Sequence, residues 1–290
     1  MSDDLDDGAT LERLAAFTED PTGGNPAGVW IGGRLPAPDV MRRVAEEVGY
    51  SETAFLAPSG DTAGAASRWR VRYFSPRKEI DFCGHATIAS AVALGDRHGE
   101  GTYVFETAVG DVPVVVGADG GRLTATLTSV APSGSPADDG LVTEVLLATT
   151  WTADDLDPQL PAELAFAGAW HLVLPVRTRE VLASLEYEFE ALRDVMDAHD
   201  LTTIQAVWRE DDRTFHSRNP FPVGGVVEDP ATGAAAAALG GYLRRRSLVD
   251  PPADVVVIQG VDMGRPSRIA VHVPADGGID VSGAAVRLEP

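Results

Sequence analysis

Two short runs of this chain, 86–94 (ATIASAVAL) and 234–239 (AAAAAL), are apolar on every side. A helix without a polar stripe has no face to offer water, so each run requires a shell of protein around it. Each also opens just after a glycine, Gly84 in Asp81-Phe82-Cys83-Gly84-His85-Ala86-Thr87 and Gly233 in Glu228-Asp229-Pro230-Ala231-Thr232-Gly233-Ala234. The two runs lie about half a chain apart, which predicts a weak internal duplication with one buried helix in each half.

Around these runs the pattern belongs mainly to strands. Residues 10–17 read as a first strand, and the turn Gly23-Gly24-Asn25-Pro26 feeds a second over 27–31. Val40, Met41, Val44, Ala45 and Val48 then recur at helical spacing, with Asp39 as the N-cap and Gly49 as the stop. Trp69, Val71 and Tyr73 alternate with Arg68, Arg70 and Arg72, the period of a strand with one wet face. Leu123, Ala125 and Leu127 alternate with threonines in the same way, and further strands are predicted over 255–258 and 269–273. The fold class is therefore α+β. The Pro/Gly/Ser cluster at 131–136 has no periodicity and reads as a linker, dividing a lobe at 1–131 from one at 132–279.

Composition narrows the function classes. With 23 basic against 44 acidic residues the net charge is −21, so nucleic acid or an anionic membrane surface would be repelled. Of the basic residues only Lys78 is a lysine. The single cysteine, Cys83, excludes an intrachain disulfide and any multi-cysteine zinc site, which points to a reducing compartment, the cytoplasm. The acidic start of the chain lacks the pattern of a signal peptide, and no apolar stretch reaches the ~18 residues of a spanning helix.

Several residues stand where chemistry is feasible. Helix N-termini beside Gly84 and Gly233 present backbone N–H groups and a positive dipole end, which bind carboxylates and phosphates. The plainer alternative is that both glycines only permit close packing. His85 sits at the start of its helix, where a neutral imidazole can donate one N–H to a substrate oxygen; otherwise it is a buried, backbone-bonded histidine. Glu52, in Tyr50-Ser51-Glu52-Thr53-Ala54-Phe55, is a carboxylate leading into an apolar strand, suited to general acid/base work or else part of a polar turn. Asp229 is either the second carboxylate of a pair or the cap of the following turn. Cys83, next to apolar Phe82, reads as a buried structural thiol. The other histidines, His98, His171, His199, His216 and His272, show no ligand spacing, so no metal site is expected. No G-x-S-x-G elbow, G-x-G-x-x-G or Walker A loop occurs.

Five ordered blocks are Gly24-Asn25-Pro26-Ala27; Ser51-Glu52-Thr53-Ala54-Phe55; Tyr73-Phe74-Ser75-Pro76 with Asp81 to Thr87; Glu228 to Gly233; and Gln259-Gly260 with Met263-Gly264-Arg265-Pro266-Ser267. Together they resemble the phenazine-biosynthesis (PhzF-like) family over nearly the whole chain. The resemblance implies a diaminopimelate-epimerase-like fold: two similar lobes, each a curved, barrel-like mixed sheet around a central buried helix, with the active site in the cleft between them. A C-terminal strand at about 280–288 then returns to the first lobe. It implies Glu52 as the principal acid/base, assisted by His85 and Asp229, with Asn25, Gly84, Gly233 and Ala234 on the substrate. It further implies a cofactor-free isomerase of a small anionic metabolite, similar to trans-2,3-dihydro-3-hydroxyanthranilate isomerase, and a homodimer. The family often has serine where this chain has Ala234, which removes a hydroxyl and leaves the substrate open. Two alternatives stand beside the isomerase: a catalytically idle protein that binds a small acid, and an epimerase or hydrolase using Cys83.

Overall fold

In the computed structural model, which describes residues 8–59 and 66–289, the period-two segments pair as strands and the apolar runs form helices between them. The chain divides into one unit up to Leu127, resumed from Ser282, and a second over Thr128–Val281.

In the first unit β1 (Thr10–Ala16) pairs antiparallel with β2 (Asn25–Ile31). Helix α1 (Pro38–Val48) then leads to β3 (Glu52–Pro58), which runs parallel to β2. The buried stripe of α1, Val40, Met41, Val44, Ala45 and Val48, packs on Trp30, Phe55 and Phe74. The helix begins two residues earlier than its sequence suggests. Ala37 is the N-cap and Pro38 follows it, because proline's fixed φ suits a first turn whose N–H groups have no partner anyway. Asp39 instead lies inside that turn and pairs with Arg43 at 3.5 Å. Gly49 ends the helix in the left-handed region (φ 74°).

β4 (Ala66–Phe74) pairs antiparallel with β3, and β5 (Glu79–Ile80) folds back on it. Helix α2 (Gly84–His98) crosses to β6 (Gly101–Thr107), parallel to β4, and two hairpins add β7 (Gly110–Asp119) and β8 (Arg122–Thr128). Every residue of α2 from His85 to Gly95 is buried, and the helix packs against β1, β2, β3 and β7.

In the second unit the cluster expected as linker contributes a strand, β9 (Ser133–Pro136), followed by α3 (Asp139–Ala148). Among the described residues β9 pairs only with β10 (Glu163–Phe166), so it is the end strand of its sheet, where serine, glycine and a terminal proline are tolerated without any hydrophobic period. β11 (Trp170–Pro175), α4 (Arg179–Ala183), α5 (Phe189–Ala198), β12 (Thr203–Arg209) and β13 (Thr214–Arg218) follow. A small hairpin, β14 (Pro220–Phe221) and β15 (Val226–Glu228), leads into α6 (Gly233–Arg245), then β16 (Ala253–Gln259) and β17 (Ser267–Val273). Helix α6 packs against β9, β10, β11 and β17, while α3 and α5 cover a separate cluster around Leu172, Leu174 and Ile204.

The order of pairing senses recurs in the two units. From β1 to β7 it runs antiparallel, parallel, antiparallel, parallel, antiparallel, and from β10 to β17 it does the same. A helix sits at each parallel crossover in both, as parallel neighbours require. The last strand, β18 (Asp280–Arg287), pairs antiparallel with β1 and lies beside β8, where the Thr126 and Ser282 hydroxyls are 2.7 Å apart. It closes eight strands, β1-β2-β3-β4-β6-β7-β8-β18, into a barrel. The fold is thus a mixed α/β architecture with a closed eight-stranded barrel and additional strands. Among the described residues no helix is long and apolar enough to cross a membrane.

Candidate active site

Glu52 is the first residue of β3, opposite Ala27 of β2, and His85 is the second residue of α2. Strand start and helix start meet: Glu52 Oε2 lies 3.4 Å from His85 Nε2, with side-chain exposures of 15% and 7%. Cys83 Sγ lies beside the same ring, 3.4 Å from His85 Nδ1 and 3.8 Å from Nε2. The sulfur, ring nitrogen and carboxylate therefore form one group, which no sequence spacing announced because Glu52 and Cys83 belong to different elements.

The start of α2 is fixed by a short hydrogen-bond chain. Cys83 is the N-cap residue without a side-chain cap, and its carbonyl accepts both the Thr87 N–H (3.0 Å) and the Thr87 hydroxyl (2.7 Å). With the threonine proton committed there, Tyr73 donates its own hydroxyl to Thr87 Oγ1 at 2.6 Å. Burial pushes the Tyr73 phenol upward, so it stays the neutral donor this chain of bonds needs. Neither Tyr73 nor Thr87 stood out in the sequence as a site residue, although Thr87 falls one helical turn after the cap.

Packing does not require Gly84 to be glycine. A Cβ built there meets nothing within 4 Å, which leaves room beside the first turn of α2 rather than a tight contact. Asn25 starts β2, is buried, and pairs in register with Ala16.

Asp229, Gly233 and Ala234 lie in the second unit, at and just before the start of α6. Asp229 is buried; its N–H donates to the Asn219 carbonyl (3.0 Å) and its Oδ2 accepts the Thr232 hydroxyl (2.6 Å). Gln259, at the end of β16, holds the same loop from behind. Its amide N–H₂ donates to the Asp229 carbonyl (2.7 Å) and to Thr232 Oγ1 (3.0 Å), and its carbonyl accepts the Thr232 N–H (3.2 Å). Gly260 makes this possible: at φ +76° a Cβ would stand 2.3 Å from the Arg265 carbonyl and 2.7 Å from that of Pro230. The Gln-Gly pair was visible in the sequence as a block, but not as the clamp on Asp229.

A mixed α/β fold with a closed barrel, and a carboxylate–imidazole pair at a buried helix start, define a candidate proton-transfer site. Comparison with known proteins gives it a family. The chain belongs to the phenazine biosynthesis-like (PhzC-PhzF) family, whose model matches residues 14–289. It is 30% identical over 275 residues to the trans-2,3-dihydro-3-hydroxyanthranilate isomerase of Pseudomonas aeruginosa, covering 93% of this chain and 94% of that one. It superposes on the Bacillus anthracis phenazine biosynthesis protein of the PhzF family with a TM-score of 0.85 at 26% identity, covering 97% of each chain. A hydroxyproline epimerase from Agrobacterium vitis shares the fold alone, with a TM-score of 0.65 at 15% identity over 96% of this chain and 90% of that one. The protein is an isomerase of this family, with an epimerase-like fold.

Proposed function

We propose that the protein catalyses a cofactor-independent proton shift within a small carboxylate-bearing metabolite, with Glu52 as the acid/base. The observation that carries this is the Glu52–His85 pair, 3.4 Å apart at the start of α2 and largely shielded from water. Glu52 removes a proton from one carbon and returns it to another of the same conjugated system. His85 shares and orients that proton through Nε2. The open space at Gly84 admits an anionic substrate group close to the first-turn amides of α2, which carry the positive end of the helix dipole. Asp229, held by Thr232, Gln259 and Asn219, acts as the assisting carboxylate, and Gly233 and Ala234 supply a second helix start for the substrate. Asn25 contributes a further substrate contact. The two units are two copies of one lobe, each wrapped around its own helix, a proposal supported by the recurring order of strand pairing.

The substrate class is that of trans-2,3-dihydro-3-hydroxyanthranilate, on which the P. aeruginosa relative is named to act. Ala234, lacking a hydroxyl, sets this chain apart from relatives with serine there, so a panel of related acids is the proper test. Proton NMR in D₂O with that panel reads deuterium incorporation directly. Wild type is expected to exchange a substrate proton, and Glu52→Gln to slow exchange by at least about 10²-fold, the usual contribution of a general acid/base. Exchange that survives Glu52→Gln overturns the assignment. Binding of the panel acids with no exchange of any of them favours the idle acid binder instead.

A further inference from the structure

Proton transfer makes no direct use of Tyr73, yet this residue touches every piece that carries the Glu52–His85 pair. Its backbone on β4 pairs with Ala54 of β3, two residues along from Glu52, and with Ile80 of β5, three residues before the Cys83 cap. Its ring stands edge-on to Phe82 at 5.9 Å. Its hydroxyl ends on Thr87 Oγ1, two residues past His85. We propose that Tyr73 is a positioning residue, the strut that sets the spacing and ring orientation of the Glu52–His85 pair through Thr87 and the Cys83 carbonyl.

Burial and geometry carry this. Tyr73 is 1% exposed and Thr87 0%, so neither hydroxyl can exchange its partner for water. The Thr87 hydroxyl donates to the Cys83 carbonyl at 2.7 Å, which leaves Thr87 Oγ1 as the acceptor for Tyr73. That carbonyl belongs to an extended residue (φ −143°, ψ 112°), so holding it also fixes where the Cys83 side chain points. The thiol lies against the His85 ring, 3.4 Å from Nδ1 and 3.8 Å from Nε2, and limits how the imidazole turns toward Glu52. The first helical bond, from the Thr87 N–H to the same carbonyl at 3.0 Å, does not need the phenol, so α2 still starts here without it. What goes is the side-chain tether between strand and helix. A pair 3.4 Å apart is sensitive to that, since a misplacement of about 1 Å costs roughly 10²-fold in rate. The consequence for turnover rests on the proton-shift reading; the geometry does not.

Tyr73→Phe, Thr87→Val and the double variant separate positioning from stability. Thr87→Val strands the buried phenol, so its melting temperature should fall by several degrees, and the double variant should regain most of that because no hydroxyl is left without a partner. A residue that only stabilised the fold would regain activity with it. Instead, on trans-2,3-dihydro-3-hydroxyanthranilate or whichever panel acid wild type exchanges fastest, kcat should stay about 10- to 100-fold down in all three variants with KM nearly unchanged. Thr87→Ser, which keeps the hydroxyl, should retain kcat within about 3-fold of wild type. Histidine-selective ¹⁵N NMR without substrate reads the geometry alone, with His85 assigned by its loss in His85→Gln. Glu52→Gln should shift the His85 Nε2 resonance in the wild-type background and shift it by less than half as much in the Tyr73→Phe background. An equal shift in both backgrounds overturns the strut, as does a double variant whose kcat returns to the wild-type level. If wild type turns over none of the acids while the resonance behaves as expected, the proton-shift reading fails and the strut stands.

Discussion

Arg218, the last residue of β13, ties three pieces of the second unit together, and its removal has a calculable cost. Its Nε donates to Glu228 Oε1 (3.1 Å) and one terminal nitrogen to Glu228 Oε2 (2.7 Å), while the other donates to the carbonyls of Ala183, the last residue of α4, and Leu185 just beyond it (3.0 Å each). The side chains are 13% and 5% exposed. Arg218→Met keeps the apolar stem but leaves a carboxylate without its counter-charge in a place water hardly reaches. Breaking a buried pair from one side costs about 3–5 kcal/mol. The loosened carbonyls border the exposed Ala183 and can turn to water, so they add little. With a urea slope of roughly 2 kcal/mol/M, the midpoint of the second unit should fall by about 2 M. Urea unfolding followed by tryptophan fluorescence reads this unit through Trp151, Trp170 and Trp208, although Trp30 and Trp69 of the first unit also contribute. The double variant Arg218→Met/Glu228→Leu should recover most of the loss, because it removes the stranded charge. A midpoint within about 0.5 M of wild type for the single variant, or a double variant no more stable than the single, would refute the reasoning.

Two other consequences can be measured. Burial pulls the His171 imidazole down to about 3, so it folds neutral while the unfolded chain takes up a proton below about 6.5. Its contribution is complete above that value and is lost as pH falls toward 3; at pH 5 the loss is about 2 kcal/mol. His171→Gln lacks this penalty, so its stability deficit relative to wild type should shrink by about 2 kcal/mol between pH 7.5 and pH 5 in urea melts, and a constant deficit would contradict it. Gly84→Ala should leave the melting temperature unchanged or slightly raised, since a helical alanine is favoured over glycine by up to about 1 kcal/mol and its methyl meets nothing. Turnover should nonetheless drop about 10- to 100-fold if substrate occupies that space, and full activity would remove Gly84 from the substrate site.

Some of this was legible in the chain and some was not, for definable reasons. Helices α2 and α6 announced themselves because a run that is apolar all round has few other fates. Glu52 and His85 were named from short motifs, and the structure brings them within 3.4 Å of each other. β9 was missed because an end strand of serine, glycine and proline carries no period to detect. Asp39 was misplaced because an acidic residue suits either the cap or the first turn, and Pro38 decided between them. Cys83 passed for an inert thiol since its contact with His85 depends on how a cap residue turns, and Gln259 gave no hint of Asp229 because they meet through tertiary packing alone.

β18 carries a consequence for how the chain is made. The barrel formed by the first 128 residues needs this strand between β1 and β8, yet it is synthesised only after the whole of the second unit. On the ribosome, seven strands must wait as an open sheet with two unpaired borders while residues 128–279 emerge and fold. The first unit to start is therefore the last to finish, and a nascent chain stalled anywhere before Asp280 exposes the edges at which sheets join with strangers.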